Sequence, residues 1–197
     1  MIGHRNERAA KVSANPKNVL YNFVCRLLLE RVTQYVSLSA ERHEIDKPVL
    51  RIVMSSRRGH HFGRFKAYVQ QLINQSTAGS TFLNTRSVDA KVLRWEEIMQ
   101  LPATRDAGLQ LADCLVSSFF QSIEQSSPQF EDKTAKILRP LMAERPKRSD
   151  LQASYANEGV TLYPATKAAH FLVPSQLEFF SHFGYDLERL KQRSGMS

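Results

Sequence analysis

The sequence predicts an α/β fold, with helices packed on the faces of a mixed, partly parallel sheet. Two observations carry that expectation. Apolar residues at helical spacing alternate with short β-branched runs, in the order helix, strand, helix, strand, helix. The chain, at 197 residues, is also long enough to bury a sizeable core in one domain.

The elements follow in chain order. Residues 1–16 are polar and basic, without an apolar period, and read as a loop or as the tail of an element whose beginning is absent. Residues 17–38 read as a helix whose buried stripe is Leu20, Val24, Leu27, Leu28, Val32 and Tyr35. "VLRIVMS" (49–55) is a β-branched run typical of a buried strand. "SSRRGHHFG" turns the chain, and Phe65, Tyr68, Val69, Leu72 and Ile73 mark a second amphipathic helix. "QSTAGSTFLNTRS" is a loop with room for a short strand, and "AKVLRWE" (90–96) is a second strand candidate. The run "RDAGLQLADCLVSSFFQSIE" (105–124) places Leu109, Ala112, Val116, Phe119, Phe120 and Ile123 on one helix face. Residues 131–143 suggest a further helix closed by the basic loop "AERPKRS". Residues 150–174 are irregular, and "SQLEFFSHFGYDLERLKQR" is one broken helix or two short ones.

Composition narrows the class. The formal net charge is +8 and the pI about 9.7, a balance that favours a polyanionic partner, nucleic acid above all. Cys25 and Cys114 lie in apolar helical runs and read as small buried hydrophobes in a reducing compartment. No apolar run is long enough to span a bilayer and no signal-peptide pattern opens the chain, so a cytoplasmic protein without a membrane partner is expected. The chain lacks the Walker A loop, G-x-G-x-x-G, H-E-x-x-H, C-x-x-C and G-x-S-x-G, which removes the usual signatures of nucleotide hydrolysis, zinc proteolysis and serine hydrolysis.

Several residues are candidates for chemistry. Asp113 falls at the edge of an apolar helix stripe, where a carboxylate is costly unless an arginine, a hydroxyl or a metal ion pairs with it. Arg31 is a candidate partner. Asp106 stands where an N-cap would. Arg57, Arg58, Arg64 and Lys66 cluster after a strand end, as a solvated basic face or as a patch contacting phosphates. His60 and His61 are adjacent in a loop and read as surface residues, with metal binding or proton transfer as the rival role. Phe179, Phe180, Phe183 and Tyr185 pack against the domain or form an exposed patch for a partner.

"NVLYNFVCRLLLERVTQYV", "VMSSRRGHHFGRFKAYVQQL" and "GLQLADCLVSSFF" resemble the domain of unknown function 3800 family over roughly residues 5–165. The resemblance implies a ribonuclease H-like mixed sheet flanked by helices, N-terminally truncated relative to the family. It places a partial ribonuclease H-like domain at 1–165 and a C-terminal helical extension at 166–197. It also implies a metal-dependent nuclease that cuts phosphodiesters with magnesium or manganese. In such enzymes carboxylates from several elements hold two metal ions. Asp113 matches the late-helix position and Glu30 the first-helix position, as metal ligands and catalytic residues. Glu30 has a plain alternative as a solvated side chain. Ser55 and Ser56 stand where an aspartate would be expected, and the strand bearing the first aspartate is missing.

Two functions follow as expectations. One is a nuclease domain carrying part of an active site. The other is a catalytically inactive module binding nucleic acid or protein, within a mobile-element or phage-defence system. The edge of the 49–55 strand, left open, is expected to pair with a second copy or with a partner chain that supplies the missing strands.

Overall fold

The computed structural model describes residues 16–56, 61–79, 86–144, 154–163 and 168–193. The chain divides into two compact units, Met1–Leu109 and Gln110–Ser197.

The first unit is a two-stranded parallel sheet with helices. Helix α1 (Pro16–Arg42) leads into β1 (Leu50–Ser55), α2 (Phe62–Thr77) and β2 (Leu93–Leu101). Strands β1 and β2 pair in parallel, with α2 as the crossover between them. The alternating order of the sequence is therefore an α/β arrangement with a parallel pair, as expected. The second strand begins and ends later than residues 90–96, because Asp89 to Val92 form a turn whose N–H groups bond back to Asp89. The core gathers Leu29, Phe65, Val69, Leu72, Val88, Leu93 and Ile98. Phe65, Val69 and Leu72 are the inner face of α2, at the spacing that marked it as a helix.

Helix α1 is oriented against expectation. Of the stripe predicted to be buried, Leu20, Val24, Leu28 and Tyr35 are exposed, Leu28 by 61%, and Leu27 and Val32 are half-buried. The opposite face goes inward, and it carries Arg26, Glu30 and Thr33 beside Leu29 and Ala40. Those polar groups are satisfied locally. Arg26 Nε donates to Glu30 Oε1 at 2.7 Å, one helical turn away. Thr33 Oγ1 donates to the Leu29 carbonyl at 2.7 Å and accepts the Asp89 N–H at 2.9 Å. Ser76 Oγ donates to the Val88 carbonyl at 2.6 Å, so the chain entering β2 is tied to both helices.

The second unit is helical. Helix α3 (Ala107–Ile123) is followed by α4 (Lys133–Leu138), a 3₁₀ turn at Arg139–Leu141, α5 (Ala168–Phe171), α6 (Pro174–Ser181) and α7 (Leu187–Arg193). Asp106 caps α3: its Oδ1 accepts the Leu109 N–H at 2.9 Å. Phe179, Phe180, Phe183 and Tyr185 are buried and pack with Phe119 and Ile123, so the packing role holds and the exposed-patch alternative does not. Phe119 lies 5.3 Å from Phe183 and 5.9 Å from Phe179, centroid to centroid. Gln176 joins α6 to α3, accepting the Val173 N–H at 3.0 Å and donating to the Ile123 carbonyl at 2.7 Å. Gly184 takes φ +87° in the turn after α6, and a Cβ there would meet Ser154 Oγ at 2.5 Å. Cys114 is exposed and Cys25 half-buried, which corrects the expectation that both are interior. No helix among the described residues is long and apolar enough to cross a membrane.

Candidate nucleic-acid interface

An irregularity in the sheet builds the site. Leu50 pairs with Leu93, but Ile52 pairs with Ile98, so Arg94 to Glu97 oppose the single residue Arg51. The extra residues cannot stay in the ladder, and the strand bulges outward there. The bulge carries Trp95, the chain's one tryptophan, 40% exposed. Helix α2 supplies its neighbour. Lys66 Nζ stands 5.0 Å from the Trp95 ring centroid and 5.7 Å from that of Phe62. Phe62 and Lys66 are one helical turn apart, so both reach the bulge from the first turns of α2. The ammonium over two aromatic faces is a cation–π arrangement. Across the bulge, Arg51 Nε donates to Glu97 Oε2 at 3.4 Å, an exposed and weak contact.

The basic patch expected from sequence is thus divided. Lys66 belongs to the bulge. Arg64 is exposed, but two positions along α2 it points about 200° around the helix from Lys66. Arg57, Arg58 and His60 lie outside the described residues, while His61 is exposed just before α2. Sequence reasoning passed over Trp95. Its signal was present as a lone tryptophan between Arg94 and two glutamates, a polar setting in which a buried strand would not place an indole.

The two candidate metal ligands sit in different units. Glu30 is 6% exposed and holds Arg26, so it is neither solvated nor open to a metal without losing that pair. Beside the pair stands Tyr68, whose hydroxyl pKa is raised, first by burial and then by the charge of Glu30, with Arg26 opposing. Asp113 is exposed on α3, together with Val116 and Phe120. Its carboxylate therefore keeps its water, and the cost that a buried aspartate would carry does not arise. Among the described residues no group of three or more His, Cys, Asp or Glu is placed to hold a metal ion. The fit to a two-metal site is therefore incomplete within them.

A polar cleft of about 480 Å³ opens between the C-terminal half of α1, the end of α2 and residues 86–89. Glu41, Arg86 and Asp89 are its charged residues, and Arg86 Nη1 donates to Gln34 Oε1 at 2.9 Å. Mixed charge makes it a poor match for phosphate and sets it apart from the bulge. No family model matches the chain, and no curated protein or solved structure matches it.

Proposed function

We propose that the chain is a nucleic-acid-binding module that takes unpaired bases on the β2 bulge. Trp95 is the stacking platform and Lys66 the contact for the adjacent phosphate. The observation that supports this most is the exposed indole with an ammonium 5.0 Å from its ring centroid. Single-strand binders combine these two parts, an aromatic face for the base and a cation for the backbone. A net charge of +8 favours the same class of partner. Stacking on one aromatic is worth about 1–3 kcal/mol, so a site of this size needs further phosphate contacts beyond Lys66.

The proposed architecture is ribonuclease H-like, supported by the helix–strand–helix–strand–helix order and the parallel β1–β2 pair. A second copy or another chain is the proposed partner along the open edge of β1. Phosphodiester cleavage is the second reading, favoured by the exposed Asp113 carboxylate. In that case magnesium or manganese would bind Asp113, and the further carboxylates would come from another chain. Glu30 would join only by giving up Arg26.

The test is fluorescence anisotropy of labelled single- and double-stranded oligonucleotides with the full chain, in magnesium, with the products run on a denaturing gel. Tighter binding of single strands, weakened about 5- to 150-fold by Trp95→Ala, is the expected result. Equal affinity for both forms, unchanged by Trp95→Ala, would remove the stacking role. Cleavage lost in Asp113→Asn would shift the reading to the nuclease.

A further inference from the structure

The ammonium beside Trp95 stands where a base would stack. Lys66 Nζ lies 5.0 Å from the Trp95 ring centroid and 5.7 Å from that of Phe62. Stacked aromatic rings have their centroids about 4.5–7 Å apart. In the free chain the ammonium therefore fills the layer that a base on that face of the indole would fill. The two cannot share it.

No ion pair holds Lys66 there. Glu96 and Glu97 follow Trp95 directly, yet Glu96 is exposed and Glu97 accepts from Arg51 at 3.4 Å. Among the described residues Lys66 pairs with no carboxylate, and its charge is met by the two rings. A cation over an exposed ring is held only weakly, by about two- to fivefold in equilibrium. Its four-carbon stem is flexible, so the ammonium can leave the ring without a backbone movement.

We propose that Lys66 is a gate on Trp95. Its ammonium occupies the stacking face in the free chain, and passes to the phosphate of the incoming nucleotide when the base takes its place. This role rests on the stacking reading, and adds that one cation serves two contacts that exclude each other. A nucleotide repays the displaced ammonium with a phosphate. A base without a phosphate has to displace it and offers nothing in return, so the gate favours nucleic acid over free bases and nucleosides. Removing the ammonium should then act in opposite directions on the two kinds of ligand. A lysine that only touched phosphate would leave the phosphate-free ligand unaffected.

The test uses two probes with the full chain, adenosine and a single-stranded oligonucleotide, both read by quenching of the emission of Trp95, the chain's one tryptophan. Lys66→Ala is expected to bind adenosine about two- to fivefold more tightly than the parent. The same variant should bind the oligonucleotide more weakly at low salt, where the phosphate contact is least screened. Lys66→Gln, which keeps much of the stem and removes the charge, should follow Lys66→Ala, and guards against an effect of lost packing. Lys66→Arg, which keeps a cation able to lie on a ring and to hold a phosphate, should follow the parent. Adenosine affinity that is unchanged or lowered in both neutral variants overturns the gate, as does adenosine that quenches none of the proteins. If the parent still binds the oligonucleotide in those cases, the stacking reading stands without the gate. A parent that binds no oligonucleotide overturns the reading, and the gate with it.

Discussion

Arg26 and Glu30 leave water together on the inner face of α1, and each is the other's solvent. A buried pair of this kind is weak evidence of net stabilisation, but breaking it strands a charge. Glu30→Ala is therefore expected to cost about 3–5 kcal/mol, read from urea unfolding followed by circular dichroism. A change within about 0.5 kcal/mol, typical of a solvated surface position, would contradict the burial of the pair. Tyr68 gives a second handle on the same interior. Burial raises its pKa above the ordinary 10.0, so the folded protein retains a proton that the unfolded chain releases. The stability tied to that proton is complete below pH about 10 and is lost as pH rises through the folded pKa. Tyr68→Phe should unfold less readily than the parent at the alkaline end of the range, and an absorbance titration should lose one phenolate that forms above the ordinary range. If the two proteins show the same alkaline stability, the hydroxyl is not in the interior.

At the scale of elements, the open edge of β1 is the feature with consequences. The Leu50 N–H bonds the Val92 carbonyl at 2.8 Å and the Ser56 N–H the Leu101 carbonyl at 2.9 Å. By strand alternation the amides of Arg51, Val53 and Ser55 point to the other side, where no further strand lies among the described residues. Hydrogen exchange should find those three amides fast and those of Ile52 and Met54 slow in a chain without a strand partner. Protection of all five would mean that a second copy or a partner has extended the sheet. Element identity was legible in the sequence because Phe65, Val69 and Leu72, or the run from Leu50 to Met54, carry a period that only one kind of element satisfies. Which face turns inward was not. The stripe of α1 from Leu20 to Tyr35 is the more apolar side, yet the buried side is the one where Arg26 pairs with Glu30 and Thr33 bonds the Leu29 carbonyl and the Asp89 N–H. That arrangement depends on Asp89, far along the chain, and local periodicity carries no record of it. The exposure of Asp113 has the same origin, since its helix packs Phe119 and Ile123 against the aromatic core and leaves Val116 and Phe120 outside. Trp95 was missed because the bulge that turns it outward is a property of the pairing of two strands.

Over the whole molecule, a net charge of +8 gives every polyanion a long-range attraction to the chain, and that attraction by itself carries no specificity. Binding to single strands should weaken with salt, with a log–log slope of about −0.7 for each phosphate neutralised, and Lys66→Ala should reduce the slope by about that amount. A slope unchanged by Lys66→Ala would place the phosphate contacts elsewhere. The stacking role of Trp95 has a more direct reporter, because the chain contains one tryptophan and its emission comes from the proposed site alone. Titration of the full chain with an unlabelled single-stranded oligonucleotide should quench that emission saturably, with the same midpoint as the anisotropy curve. Emission that stays constant while the oligonucleotide binds would contradict the proposed platform, and the nucleic acid would then be held on another surface.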